Sequence, residues 1–136
     1  MNKNIIYGML IVAIIGVPSI FFIKNKPSII PSVTVEDQKI KAGEVEIGEV
    51  IALKPSWLVI QTNEGGIPGP VLGYKKIETG SNKNLKVKID STKITPSLHA
   101  MIHEDTGIKD RFDFPNNDVP LMYKMEMVTK IFNILE

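Results

Sequence analysis

Nineteen consecutive uncharged residues, Ile5–Ile23 (IIYGMLIVAIIGVPSIFFI), stand behind a four-residue head at the start of the chain. An α-helix rises about 1.5 Å per residue, so such a run is roughly 28 Å long, close to the hydrocarbon thickness of a bilayer at about 30 Å. The run predicts one N-terminal transmembrane helix with little tilt to spare. The rest of the chain must then fold as a separate module outside the hydrocarbon.

A cleaved leader needs small residues at two defined positions after its apolar core. Lys24-Asn25-Lys26-Pro27-Ser28-Ile29-Ile30-Pro31-Ser32 offers no such pair. Val17-Pro18-Ser19 comes nearest, but cutting there would leave Ile20-Phe21-Phe22-Ile23 as an apolar end. The segment is therefore expected to stay as a signal anchor. Lys3 and the α-amino group stand on one side of it, Lys24 and Lys26 on the other. This bias slightly favours the wrong end inside, yet long domains translocate largely regardless of so small a difference. The module is expected on the extracytoplasmic side of a single-pass cell-membrane protein. With no cysteine in the chain, lipoprotein processing and a disulfide framework are both excluded.

From Pro27 onward thirteen Lys and Arg face fifteen Asp and Glu, a formal balance of −2. Lys and Glu are interspersed on the same segments, as on an ordinary solvated surface. Phosphate-backbone binding needs a basic stripe, so no nucleic-acid partner is expected. About 110 residues suffice for one hydrophobic core. The organisation read from the sequence is a head over 1–4, the span over 5–23, a stiff Pro/Ser spacer over 24–31 and one domain over 32–136.

Within the domain, apolar residues recur with a period of two. Leu85, Val87 and Ile89 alternate with Lys86 and Lys88, and Val33 and Val35 with Thr34 and Glu36. Val45 and Ile47 continue the pattern until Gly48-Glu49 shifts its phase before Val50, Ile51 and Leu53, as a bulge would. Trp57-Leu58-Val59-Ile60 reads as a central strand covered on both sides. Further strands are expected over Val71–Ile77, Leu98–His103 and Met125–Phe132. Breakers fall between them, including Gly65-Gly66-Ile67-Pro68-Gly69-Pro70, read as a long hairpin loop. Strands and turns at this spacing predict an all-β domain, an immunoglobulin-like or Greek-key β-sandwich. Trp57 is expected in the sandwich core, with Met101, Met122, Met125 and Met127 filling gaps in it.

Both histidines lie in Leu98-His99-Ala100-Met101-Ile102-His103-Glu104-Asp105-Thr106-Gly107. On a strand, residues four apart share a face but stand about 13 Å apart, too far to hold one ion together. A bent strand end could instead bring His103, Glu104 and Asp105 to one metal ion; the structural alternative makes them turn and cap groups bonding nearby backbone N–H. Asp105, Asp110, Asp113, Asn116, Asn117 and Asp118 offer oxygen ligands for calcium, but their spacing fits no EF-hand and suits ordinary turns. A blue-copper site is excluded for want of a cysteine thiolate. Ser97 precedes His99 without a nucleophile elbow, and the prolines of 65–70 remove the N–H donors a phosphate cradle needs. No catalytic residue and no cofactor are expected.

Gly48-Glu49-Val50, Trp57-Leu58-Val59-Ile60-Gln61, Gly69-Pro70-Val71-Leu72-Gly73 and Gly80-Ser81-Asn82-Lys83-Asn84 succeed one another in an order that resembles an uncharacterised domain family of secreted and surface-anchored archaeal and bacterial proteins. Ala100–Gly107, Phe112-Asp113-Phe114-Pro115 and Asp118-Val119-Pro120 resemble that family's Ala-Met-x-His-x-Asp, Phe-Pro and Asp-x-Pro elements. The resemblance covers Val33 to the C-terminus. It departs at Gln61, where similar sequences often carry histidine. It implies an exported all-β domain and supplies no activity. The leading expectation is a non-catalytic membrane-anchored module that binds or supports an envelope protein or polymer. Its rival is a metal-dependent domain built around His103, Glu104 and Asp105.

Overall fold

The computed structural model describes residues 28–136. The predicted span Ile5–Ile23, the head and residues 24–27 of the spacer lie outside the described residues. Nine strands succeed one another: β1 Ser32–Thr34, β2 Glu44–Ala52, β3 Ser56–Glu64, β4 Ile67–Ile77, β5 Gly80–Lys88, β6 Ser97–Glu104, β7 Met122–Tyr123, β8 Glu126–Met127 and β9 Thr129–Asn133. They form two main antiparallel sheets, β1-β2-β5 and β4-β3-β6-β9, with β7 and β8 as a small separate hairpin. This is an all-β architecture consistent with a β-sandwich.

The core between the sheets is the product of the alternation in the sequence. Val45, Ile47 and Val50 of β2 and Val87 of β5 meet Leu58 and Ile60 of β3, Leu98, Ala100 and Ile102 of β6 and Phe132 of β9. Burying each of these side chains other than Ala100 is worth about 1.5–3 kcal/mol. β3 and β6 are buried on their other faces as well, because the segment between Asp105 and Leu121 folds back over the larger sheet. That explains why Trp57–Ile60 reads as a continuous apolar run: β3 lies between β4 and β6 and has cover above and below.

Several expectations need correction. Only Gly65 and Gly66, both with positive φ, form the turn after β3; Ile67–Pro70 is already strand. β4 is an edge strand, where a proline facing outward removes no ladder bond, and the register slips there, between Ile60 and Asn63 of β3. The burial phase of β2 does flip at Gly48–Glu49, from Val45 and Ile47 to Val50 and Ala52. β5 answers with Asn84 at φ 51°, so Ile47↔Leu85 and Glu49↔Lys83 stay in step. The irregularity is shared by both strands rather than being a one-sided bulge. Met125–Phe132 is not one strand: Lys124 and Met125 form the β7–β8 turn, and β9 starts at Thr129.

Trp57 and Met101 are buried, but in a second cluster on the outer face of the larger sheet rather than in the sandwich core. Met122, Met125 and Met127, expected as core filler, are exposed.

The open side of the sandwich is closed by the chain after β1. Gln38 donates its backbone N–H to the Asn133 carbonyl and accepts from Leu135. Its side-chain amide pairs with both the N–H and the carbonyl of Glu46, at 2.8 Å each, imitating a strand neighbour for β2. Near β4 the two sheets touch at Gly73, where a Cβ would run into the Lys88 carbonyl oxygen. Only glycine permits that approach.

Candidate functional site

The covered outer face of the larger sheet gathers the polar and aromatic residues with chemical potential. Cross-strand register builds it in rows. Trp57 stands opposite Lys76 and His103, Val59 opposite Tyr74 and Met101, and Gln61 opposite Val71 and His99. Phe112 and Phe114, from the segment after β6, cap these rows. The Phe112 ring centroid lies 5.6 Å from Trp57, 4.4 Å from Tyr74 and 5.9 Å from His103, and Phe114 meets His103 at 4.8 Å. Edge and tilted contacts of this kind suit the quadrupoles of aromatic rings.

His103 is fully buried beneath them. Its Nδ1 lies 2.7 Å from the Asp118 carbonyl oxygen and its Nε2 lies 3.0 Å from Gln61 Oε1. The Gln61 amide nitrogen is committed to the Gly69 carbonyl at 2.7 Å. Both ends of this chain of bonds are therefore carbonyls, which only accept. A neutral imidazole has one N–H, so it satisfies one side and leaves an acceptor facing an acceptor at the other. Turning the Gln61 amide over merely moves the mismatch to Gly69. Burial pushes the His103 imidazole below its ordinary pKa, and the Asp118 carbonyl and charge offset this only in part.

His99, four residues back on the same face, is also buried, and its network closes without a mismatch. Asn63 Oδ1 accepts from the Gly66 N–H at 2.7 Å, which fixes it as the oxygen. His99 Nε2, 3.2 Å from that oxygen, must donate, and Nδ1 accepts from the Thr129 hydroxyl at 3.0 Å, the shorter of the two contacts open to that hydroxyl's single proton, the other being the Ala100 carbonyl at 3.3 Å. Burial alone lowers this imidazole's pKa.

Asp118 holds the covering segment in place. It is fully buried, and its carboxylate accepts from the N–H of Thr106 at 3.0 Å, Gly107 at 3.2 Å and Asp113 at 2.6 Å. Burial would raise its pKa, but the three N–H donors outweigh that and hold it below the usual value. Its backbone carbonyl receives His103. One residue thus ties the loop to itself and to β6.

Of the residues singled out in the sequence, His99 and His103 share one face as the strand spacing requires. His103, Glu104 and Asp105 diverge. His103 turns inward, Glu104 pairs with Lys54 at 3.0 Å, and Asp105 pairs with Lys76, whose ammonium also lies 4.8 Å over the Trp57 ring. Burial would lower the Lys76 pKa, but the charges of Asp105 and Asp110 raise it overall. Asp113 receives the side-chain amides of Asn116 and Asn117, at 3.2 and 2.7 Å. Among the described residues, no three His, Asp or Glu side chains converge as a metal site. Chelator should accordingly leave the melting temperature of the purified protein unchanged. A drop in EDTA, reversed by zinc or calcium, would restore the metal reading.

The structural alternative makes His103, Glu104 and Asp105 the groups that bond nearby backbone N–H, but the carboxylate that accepts from the N–H of Thr106 and Gly107 is Asp118, eleven residues beyond Gly107. Gln61 and Asn63 bind the histidines although no sequence motif marks them for it. The signal available for them is their placement on the same alternating face of β3 as Trp57 and Val59.

No curated protein matches the chain, and neither does any solved structure. The family model described as a domain of unknown function, DUF7282, matches residues 31–134, from the residue before β1 to the residue after β9. The chain belongs to the DUF7282 family.

Proposed function

We propose that this protein is a single-pass, membrane-anchored extracytoplasmic module with a non-catalytic binding or supporting role towards an envelope protein or polymer. The observation that carries the reading is the uncharged run Ile5–Ile23, of bilayer length, ahead of a domain whose described core closes between Val33 and Ile134. The polar groups of the covered face support the non-catalytic part. His99, His103 and Asp118 are each bonded to internal partners, so they build the fold rather than face a substrate.

We further read the sandwich as immunoglobulin-like. Sheets β1-β2-β5 and β4-β3-β6-β9 correspond to strands A, B, E and C, F, G of that fold, with the fourth strand placed beside C rather than beside E. The parallel bridge between Gln38 and Ile134, next to the antiparallel β1–β2 pair, fits a first strand shared between the sheets.

The test is retention and sidedness. The full chain, expressed in cells, is expected to stay with membranes after alkaline carbonate washing, with Met1–Ile23 intact and the domain open to external protease. Recovery as a soluble protein with a new N-terminus near Ile20 would show a cleaved leader instead.

A further inference from the structure

The strand registers define one end of the sandwich. Ser32↔Ile51, Ala52↔Gly80, Ser56↔Ile77 and Ser56↔Glu104 place the start of β1 beside the β2–β3 and β4–β5 turns and the end of β6. The β7–β8 hairpin stands at this same end, since Pro31, Ser32 and Val33 line one hollow together with Tyr123 and Met127. The chain coming from the spacer enters here.

Apolar side chains meet solvent at this end, set among the exposed charges of Lys54, Glu78, Lys124 and Glu126. Met125 is 92% exposed at the hairpin tip, Met122 55%, Ile29 58%, Ile30 55% and Leu53, in the β2–β3 turn, 46%. At the other end the turns are Ala42-Gly43, Gly65-Gly66 and Asp90–Lys93. Its apolar exposures are Ile67, Ile94 and Leu135, none of them at the tip of a turn. The hairpin tip is also conformationally costly. Lys124 and Met125 have φ of 49° and 68°, a turn that favours Asn, Asp or Gly. Neither backbone preference nor burial within the chain accounts for a methionine there.

We propose that this end is a membrane-contacting surface, with the β7–β8 hairpin and the Leu53 turn seated in the interfacial region of the bilayer. The inference rests on the anchor reading above. Eight residues, 24–31, separate Ile23 from Ser32, and nine steps of about 3.3 Å limit the end to within roughly 30 Å of the hydrocarbon. The end that must lie nearest the bilayer is thus the end carrying the apolar tips. The chemistry fits an interface. Flexible methionines adapt to a disordered boundary, Tyr123 is an interfacial residue type, and Lys124, 5.6 Å over the Tyr123 ring, can keep its ammonium at headgroup level.

The absence of native cysteine makes depth measurable. The full chain is reconstituted in phosphatidylcholine vesicles as Met125→Cys, Leu53→Cys or Lys41→Cys, each carrying one environment-sensitive fluorophore. Lys41 is exposed and precedes β2 at the opposite end. Insertion by about 5–10 Å should shift emission to the blue at 125 and 53, with quenching by lipid-borne nitroxides at least about twofold stronger than at 41. Failure of the protein to float with vesicles overturns the anchor and this inference together. Flotation with equal quenching at all three positions overturns the inference alone. A blue shift that ignores lipid quencher and grows with protein density would assign the tip to a second copy and also overturn it.

Discussion

Asp118→Ala is expected to cost about 3–4 kcal/mol and to lower the melting temperature by more than about 10 °C, the largest effect of any single substitution outside the sandwich core. Three backbone donors converge on this one buried carboxylate. Hydrogen bonds to a charged acceptor contribute about 1.5–3 kcal/mol each, and donors left unpaired in the interior add a desolvation cost. The figure is set below the full sum because Thr106 is exposed and water can reach its N–H. Asp118→Asn keeps an acceptor oxygen and should lose about half as much. Asp113→Ala removes only exposed amide contacts and should cost under about 1 kcal/mol.

Loss of the Asp118 anchor should also loosen the cover over Trp57, which is 5% exposed and the only tryptophan of the chain. Its emission should shift to the red in the variant before unfolding begins. Because the folded Asp118 carboxyl is depressed, its contribution is complete above about pH 3.8 and lost as pH falls below that value. Urea titrations of the three variants would test the ranking. An Asp118→Ala protein within about 1 kcal/mol of wild type, with unchanged emission, would mean that the covering segment is held by its aromatic contacts instead.

The alternation of Leu85, Val87 and Ile89 is enough to locate β5, because a half-buried strand leaves a period of two whatever lies above it, whereas β6 is buried on both faces from Leu98 to His103. Trp57–Ile60 reveals that β3 is covered twice, but periodicity cannot say by what. Its cover comes from Phe112 and Phe114, whose segment has no period of its own. The prolines of β4 mislead, since a breaker rule assumes a ladder on both sides and an edge strand has only one. The methionines mislead for a similar reason. Hydrophobicity alone places Met125 inside, whereas a two-residue turn at Lys124-Met125 throws it outward. Site geometry is legible only where it comes from strand spacing, as in the shared face of His99 and His103. Asp118 acts across a loop whose path no local pattern encodes.

The pair of histidines gives the second large expected effect, a loss of stability on mild acidification. Both folded imidazoles are held below their ordinary pKa of 6.5, so the unfolded chain takes up protons first as pH falls. Their contribution is fully present above about pH 6.5 and is lost as pH drops towards the lowered values. Each group bends the free energy by at most about 1.4 kcal/mol per pH unit, so the pair together reaches about 2.7 kcal/mol per unit in the steepest part of the window. At His99 burial acts unopposed, whereas at His103 a second proton would heal the acceptor contact with Gln61 or Asp118, which softens the penalty. Urea unfolding at pH 7.5, 6.0 and 5.0 should show falling stability in wild type. His99→Gln should remove one share of the slope and His103→Gln the other, with the double variant nearly flat in this range. A flat wild-type profile would mean that the folded imidazoles take up protons with the unfolded chain, or that a raised pKa at one ring cancels the lowered pKa of the other, the raised ring holding its proton when folded. His103, bracketed by two carbonyl acceptors, is the ring whose geometry would allow it.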